Sequence, residues 1–211
     1  MRIILCRHGE TDYNAERRLQ GKLETGLNAN GLKQAKLVAN LLKKEKFDAI
    51  FCSTQKRCRM TAKEIMKFHK NKVNFRDGIR EVDLGIYSGM NHKEIEEKFP
   101  GKWSQRVDNK YDFHHKGGES YKSADETRVQ PFLEELKEKY SSRAVLVITH
   151  QGIGILILGN LLGLPKEKVN DISIPNDTVY YIDYLPHKTE VKYVKSSTME
   201  TGFGCLMRSK S

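Results

Sequence analysis

The run Cys6-Arg7-His8-Gly9-Glu10-Thr11 sets a guanidinium beside an imidazole, directly after the apolar segment Ile3-Ile4-Leu5. Arginine stays charged and grips a phosphate through two donors. A neighbouring histidine can be a nucleophile, and the glycine permits close backbone approach. Three other segments carry matching groups. Ser53-x-x-x-Arg57-x-x-x-Thr61-Ala62 offers a second arginine at a helix start, Glu81 beside Arg80 offers a carboxyl group, and Thr149-His150-Gln151-Gly152 offers a second histidine. Together these parts suit phosphoryl transfer. Arg7, Arg57 and His150 would neutralise the phosphate oxygens, His8 would attack phosphorus in line, and Glu81 would protonate the leaving oxygen and then activate water. Positive side chains would supply the charge that a metal ion could supply, so neither metal nor cofactor is expected.

Groups so far apart in sequence need a scaffold that gathers them. Apolar runs predict strands at 2–6, 48–52, 72–75 and 144–149, and a closing pair at 178–185 and 190–195 around the turn Pro186-His187-Lys188. Helical spacing of apolar residues predicts helices over 29–44, 55–69, 91–99, 119–140 and 153–164. Such alternation argues for an α/β three-layer sandwich, with a mostly parallel central sheet flanked by helices. Ligands of open α/β sheets bind beyond the carboxyl ends of the strands. His8 and His150 both follow a predicted strand. The charged, glycine-containing stretch 100–118 is the least regular, and a cap or lid is expected over about 86–118 of a single 1–211 domain. The tail Ser209–Ser211 is expected to be loose.

Composition narrows the function classes. The chain has 211 residues and a formal net charge of +10, enough for one domain with a real core. The excess favours acidic partners. The lysines are spread along the chain rather than massed in a tail, so the expected partner is a small phosphorylated substrate, not nucleic acid or a membrane. Cys6, Cys52, Cys58 and Cys205 form no Cys-x-x-Cys pair, which fits reduced thiols in a cytoplasmic protein. The apolar segment at the N-terminus is too short for a signal peptide. A homodimer is compatible with these features, though no strand edge singles itself out.

The ordered series of motifs resembles the histidine phosphatase superfamily, in its phosphoglycerate mutase-like branch. The resemblance covers nearly the whole chain: Arg7-His8-Gly9-Glu10-Thr11 with Asn14, Gln20-Gly21, Gly31-x-x-Gln34-Ala35, Ser53 to Ala62, Glu81, Gly117-Gly118-Glu119-Ser120 and Thr149-His150. It implies a phosphohistidine on His8, phosphate contacts from Arg7, Arg57 and His150, and acid–base work by Glu81. It also implies that Asn14, Gln20, Gly21 and the backbone near Gln151 line the pocket.

The family holds phosphatases and mutases, and this chain leans toward hydrolysis. The cofactor-dependent mutases carry an Arg and a Tyr after the acid, where this chain reads Glu81-Val82-Asp83-Leu84. They also have a longer insertion there. Without that second anion clamp, water is the favoured acceptor. Relatives acting on phosphoserine can carry a His where Leu84 stands, which weighs against that substrate. Gln151 stands where a Gly is common, either contacting substrate or capping the next helix.

Competing readings accompany each residue. Asp83 and Glu119 are alternatives to Glu81 as the acid. His114 and His115 read as a solvated pair rather than part of a lid, and His69, His92 and His187 as surface residues. Cys6 and Cys52 read as buried apolar side chains. Trp103 and Phe99 would form either a wall of the cap or its small core. Pro175-Asn176 either reaches the pocket rim or makes a plain turn. A phosphate-binding protein without turnover would be expected to lose one of the five charged groups, and all five are present. A mutase is the alternative within the enzymes.

Overall fold

The computed structural model describes residues 1–169, 171–185 and 187–207. Pro186 of the expected turn and the tail Ser209–Ser211 lie outside the described residues. Seven strands form one sheet: β1 (Arg2–Arg7), β2 (Ala49–Ser53), β3 (Val73–Arg76), β4 (Ala144–Thr149), β5 (Thr178–Leu185), β6 (Lys188–Lys195) and β7 (Thr201–Phe203). Their spatial order is β3-β2-β4-β1-β5-β6-β7. The half from β3 to β1 is parallel, as expected. The half from β5 to β7 is antiparallel, so the sheet is mixed. β5, β6 and β7 follow one another through short connections, and adjacent strands so joined can pair only antiparallel. The short edge strand β7, Thr-Gly-Phe, carries no alternation from which to predict it.

Helices cover both faces: α1 (Asp12–Ala15), α2 (Ala29–Leu42), α3 (Lys56–Ile65), α4 (His92–Lys98), α5 (Lys102–Asp108), α6 (Tyr121–Ala124), α7 (Gln130–Lys139), α8 (Gln151–Leu162) and α9 (Lys166–Val169). Alternation along the central strands sorts the core in two. Ile3, Leu5, Val145 and Val147 pack with Phe132, Leu133 and Leu136 of α7 and with the apolar α8. Ile4, Cys6, Leu146 and Ile148 pack on the other face with Val38 and Leu42 of α2 and Ala62 and Ile65 of α3. Cys6, Cys52 and Cys58 are fully buried, as apolar side chains would be.

Two departures bear on the site. The expected helix 119–140 is α6 and α7 joined by a π turn at Asp125–Val129. Pro131, near the start of α7, has no amide to offer the preceding turn. Buried Asp125 accepts from Tyr111 Oη at 2.8 Å and Asn160 Nδ2 at 2.7 Å, which anchors the end of the cap to α8. The stretch 100–118 is less irregular than expected, because α5 runs through it after a left-handed Gly101.

Candidate active site

Strand register gathers the reactive groups. Parallel pairing sets Arg7 opposite Thr149, so the next residues, His8 and His150, leave the sheet side by side. Their ring centroids are 5.2 Å apart. Cys52 pairs with Ile148, which brings Ser53 to the same edge.

His8 is 2% exposed and held on several sides. Its amide donates to Thr149 O at 3.0 Å, and its carbonyl accepts from Asn176 Nδ2 at 2.8 Å. Its Nδ1 lies 2.7 Å from Gly9 O. A carbonyl only accepts, so Nδ1 carries the hydrogen and Nε2 the lone pair. Burial, reinforced by the Arg7 and Arg57 charges, pushes the His8 pKa well below the ordinary histidine value. The ring is therefore neutral near pH 7, with the lone pair on Nε2. Gly9 is required here, since a Cβ on it would stand 2.2 Å from Gly31 O.

Arg57 is fully buried and organises the floor. Its Nη1 donates to Leu23 O at 2.7 Å and its Nη2 to Gly21 O at 2.9 Å. Its Nε lies 3.2 Å from both His8 Nε2 and His150 Nδ1. Because His150 Nδ1 accepts there, its Nε2 hydrogen goes to Ser53 Oγ at 2.8 Å. Burial, then the Arg57 charge, lowers the His150 pKa as well.

Glu81 sits at the start of α8. Its carboxylate accepts from the amides of Gly152 at 3.1 Å, Ile153 at 3.3 Å and Val82 at 3.0 Å. Such amides at a helix N-terminus are natural anion partners. A Cβ at Gly152 would lie 2.4 Å from Glu81 Oε1, so only glycine admits this approach.

A cavity of about 280 Å³ opens above these groups. Arg7, His8, Asn14, Gln20, Gly21, Arg57, Glu81 and Gln151 all line it. His150 does not; it is fully buried behind Arg57 and His8. Arg7 Nη1 donates to Gln151 Oε1 at 3.2 Å and Ile174 O at 3.3 Å. Gln151 therefore steadies Arg7, while the N-cap of α8 is His150.

The competing acids separate cleanly. Glu119 accepts from Arg128 and from the Asp83 amide, bracing the loop that carries Glu81. Asp83 pairs with Lys22 at 2.9 Å. Neither lines the cavity, and Glu81 is its sole carboxylate among the described residues.

The cap corrects two expectations. His115 is not solvated but fully buried. Its Nδ1 donates to Glu119 O at 2.6 Å, and its Nε2 accepts from Arg106 Nε at 3.2 Å. Burial, above all, pushes its pKa down to about 4. The second correction is that the cavity does hold further cations, Arg106 and Lys110 of the cap and Arg17 and Arg18 of the loop after α1, beside Trp103, Tyr121 and Leu84. Trp103 and Arg106, three residues apart, share one face of α5, a spacing visible in the sequence.

Gln55 also belongs to the site's framework. Fully buried, it donates to Gly21 O at 3.1 Å and accepts from the Glu81 amide at 2.8 Å, tying the loop at Gly21 to the backbone of Glu81. It lies inside the Ser53–Ala62 run, yet nothing in its type marks it out. Pro175-Asn176 does make a turn, with the Thr178 amide donating to Pro175 O at 3.3 Å, and the Asn176 side chain donates from it to the His8 carbonyl without lining the cavity.

The family model of the histidine phosphatase superfamily (branch 1) matches residues 3–197. The chain belongs to that superfamily, and with it to the phosphoric monoester hydrolases of this type. It is 38% identical to phosphoserine phosphatase 1 of Hydrogenobacter thermophilus over 150 residues, 71% of each chain. It is 31% identical to fructose-2,6-bisphosphatase of Saccharomyces cerevisiae over 92% of this chain, but spans 42% of that longer protein. The crystal structure of the alpha-ribazole phosphatase from Shigella flexneri superposes with a TM-score of 0.82 at 26% identity, over 90% of this chain and 93% of that one.

Proposed function

We propose that the protein hydrolyses small phosphomonoesters through a covalent phosphohistidine on His8. The observation that carries this reading is the His8 tautomer: Nδ1 is committed to Gly9 O, and Nε2 meets Arg57 Nε at the cavity floor. In the resting site the Arg57 hydrogen lies against the His8 lone pair. An arriving phosphate oxygen takes over that hydrogen and frees the lone pair. Nε2 then attacks phosphorus; the N–P bond forms as the P–O bond to the leaving group breaks. Arg7 and Arg57 balance the charge on the phosphoryl oxygens. Glu81, entering the step protonated, gives its proton to the leaving oxygen. In the second step Glu81 takes a proton from water, the water oxygen attacks phosphorus, and the P–N bond breaks to restore neutral His8. His150 acts from behind, as a positioning residue for Arg57 and His8.

The preference for water as acceptor rests on the phosphatase relatives, since the cap supplies cations where the sequence suggested no second clamp. Those same cations favour the one alternative, a phosphoglycerate mutase. Phosphate release from a panel of phosphomonoesters, in EDTA, for wild type and His8→Ala tests the reading. Release that disappears in the variant is expected; residual activity within about tenfold of wild type overturns the covalent step. With 3-phosphoglycerate and a trace of its bisphosphate, free phosphate is expected, and 2-phosphoglycerate would establish the mutase.

A further inference from the structure

We infer that the outer face of the α2–α3 layer is a docking surface for an anionic lipid bilayer, separate from the catalytic cavity. The location of the charge is the starting point. Residues 29–76 hold thirteen Lys and Arg against three Asp and Glu, a surplus of +10. The net charge of the whole chain is also +10, so the remaining residues balance one another. Read along the chain the lysines are spread; in the fold their excess belongs to one unit, α2-β2-α3-β3. Helical spacing turns that excess outward. α2 and α3 pack side by side on one face of the sheet through Val38, Leu42, Ala62 and Ile65. The opposite side of α2 and its end carry Lys33, Lys36, Lys43 and Lys44, and that of α3 carries Lys56, Arg59 and Lys63, all exposed. Lys67, Lys70 and Lys72 continue the exposed charge after α3. Of these ten cations only Lys67 has an ion-pair partner, Glu64, among the described residues. None of the ten lines the catalytic cavity.

The make-up of the face selects the partner. α2 has 14 residues and is about 21 Å long, so the charge extends well beyond one small anion. Nine of the ten cations are lysines, point charges without the planar fork that arginine sets on a single phosphate or a base edge. Three apolar side chains stand among them: Leu37 is 40% exposed, Phe68 48% and Phe75 45%. Phe75 sits on the sheet edge in β3, with the Arg59 guanidinium 5.2 Å over its ring. Leu37 has no ring to stack on a base, whereas all three side chains can enter the acyl boundary beneath a layer of headgroups. Clustered lysines are what the negative surface of such a bilayer attracts. A second copy of this chain would set the same charge against itself.

The test measures co-sedimentation of the full chain with vesicles of phosphatidylcholine alone and of phosphatidylcholine with phosphatidylserine. Wild type is expected to bind only the second kind and to be released by high salt. Lys36→Glu combined with Lys63→Glu, one on each helix, should weaken that binding about a hundredfold or more, since each basic residue near an anionic surface contributes roughly a fivefold gain. Phe68→Ser should weaken it severalfold with no change of charge. Lys137→Glu combined with Lys139→Glu, on α7 across the sheet, alters the net charge equally and should leave binding in place. Melting temperatures and turnover of p-nitrophenyl phosphate are expected to stay at wild-type values in every variant, which separates lost docking from lost folding. Absence of wild-type binding to the phosphatidylserine vesicles, or an equal loss in the α7 variant, overturns the proposal. Tighter binding to single-stranded RNA than to these vesicles at the same salt also overturns it, and assigns the face to nucleic acid.

Discussion

At the floor of the cavity His8 is held by the carbonyls of Thr149 and Gly9 and by the Asn176 side-chain amide, whereas in the cap Arg106 meets the His115 imidazole and the Trp103 indole. The floor inherits its geometry from strand register, because β1 and β4 cannot slip without inverting every buried side chain. The cap inherits its geometry from side chains on a seven-residue helix. Reactive groups that must meet within a fraction of an ångström are thus placed by the sheet.

Variants on each side sharpen that contrast. The largest effect is expected from Glu81→Gln, which keeps the amide contacts of an acceptor oxygen but cannot exchange a proton. Turnover should fall a hundredfold or more, with phosphate binding largely kept. A variant that retains turnover would move the acid role away from Glu81. Gln55→Ala should come next. It removes the bridge between Gly21 and Glu81 without touching substrate, so kcat should fall about tenfold while KM changes less. A lower melting temperature with unchanged kcat would leave Gln55 a purely structural role.

Smaller effects are expected in the cap. Trp103→Ala removes the ring under Arg106 and should raise KM for the preferred ester severalfold. Dominance of kcat instead would place the cap in the chemistry. The mildest expected signature is in stability against pH. The folded His115 pKa is pushed down to about 4, while an unfolded histidine titrates near ~6.5. Between these values the unfolded chain binds a proton that the folded chain does not. Stability should therefore fall as pH drops from ~6.5 toward 4, with His8 and His150 acting in the same direction. A melting temperature independent of pH across that window would contradict the buried neutral rings.

The same division explains what could be read from the sequence. His8 and His150 directly follow β1 and β4, Arg57 opens α3 just after β2, and Glu81 follows Arg80, so residue type and order point to one chemistry. The parallel half of the sheet was legible for the same reason. Arg106, Lys110 and His115 lie in a charge-rich stretch where a buried cation and a solvated one look alike. Their roles depend on contacts across the cap, such as the Glu119 carbonyl that fixes the His115 tautomer. Gln55 was hidden because a glutamine's partners are set by tertiary structure alone. The π turn and β7 leave no periodic trace in the sequence.

The central claim is that His8 carries the phosphoryl group. It is tested most directly by mixing the protein with a labelled phosphomonoester, quenching in alkali, where phosphohistidine survives, and locating the label by peptide mapping. Label on the peptide containing His8, absent from His8→Ala and accumulating when the second step is slowed, is the predicted result. Turnover that continues in His8→Ala, or label on any other residue, would contradict it.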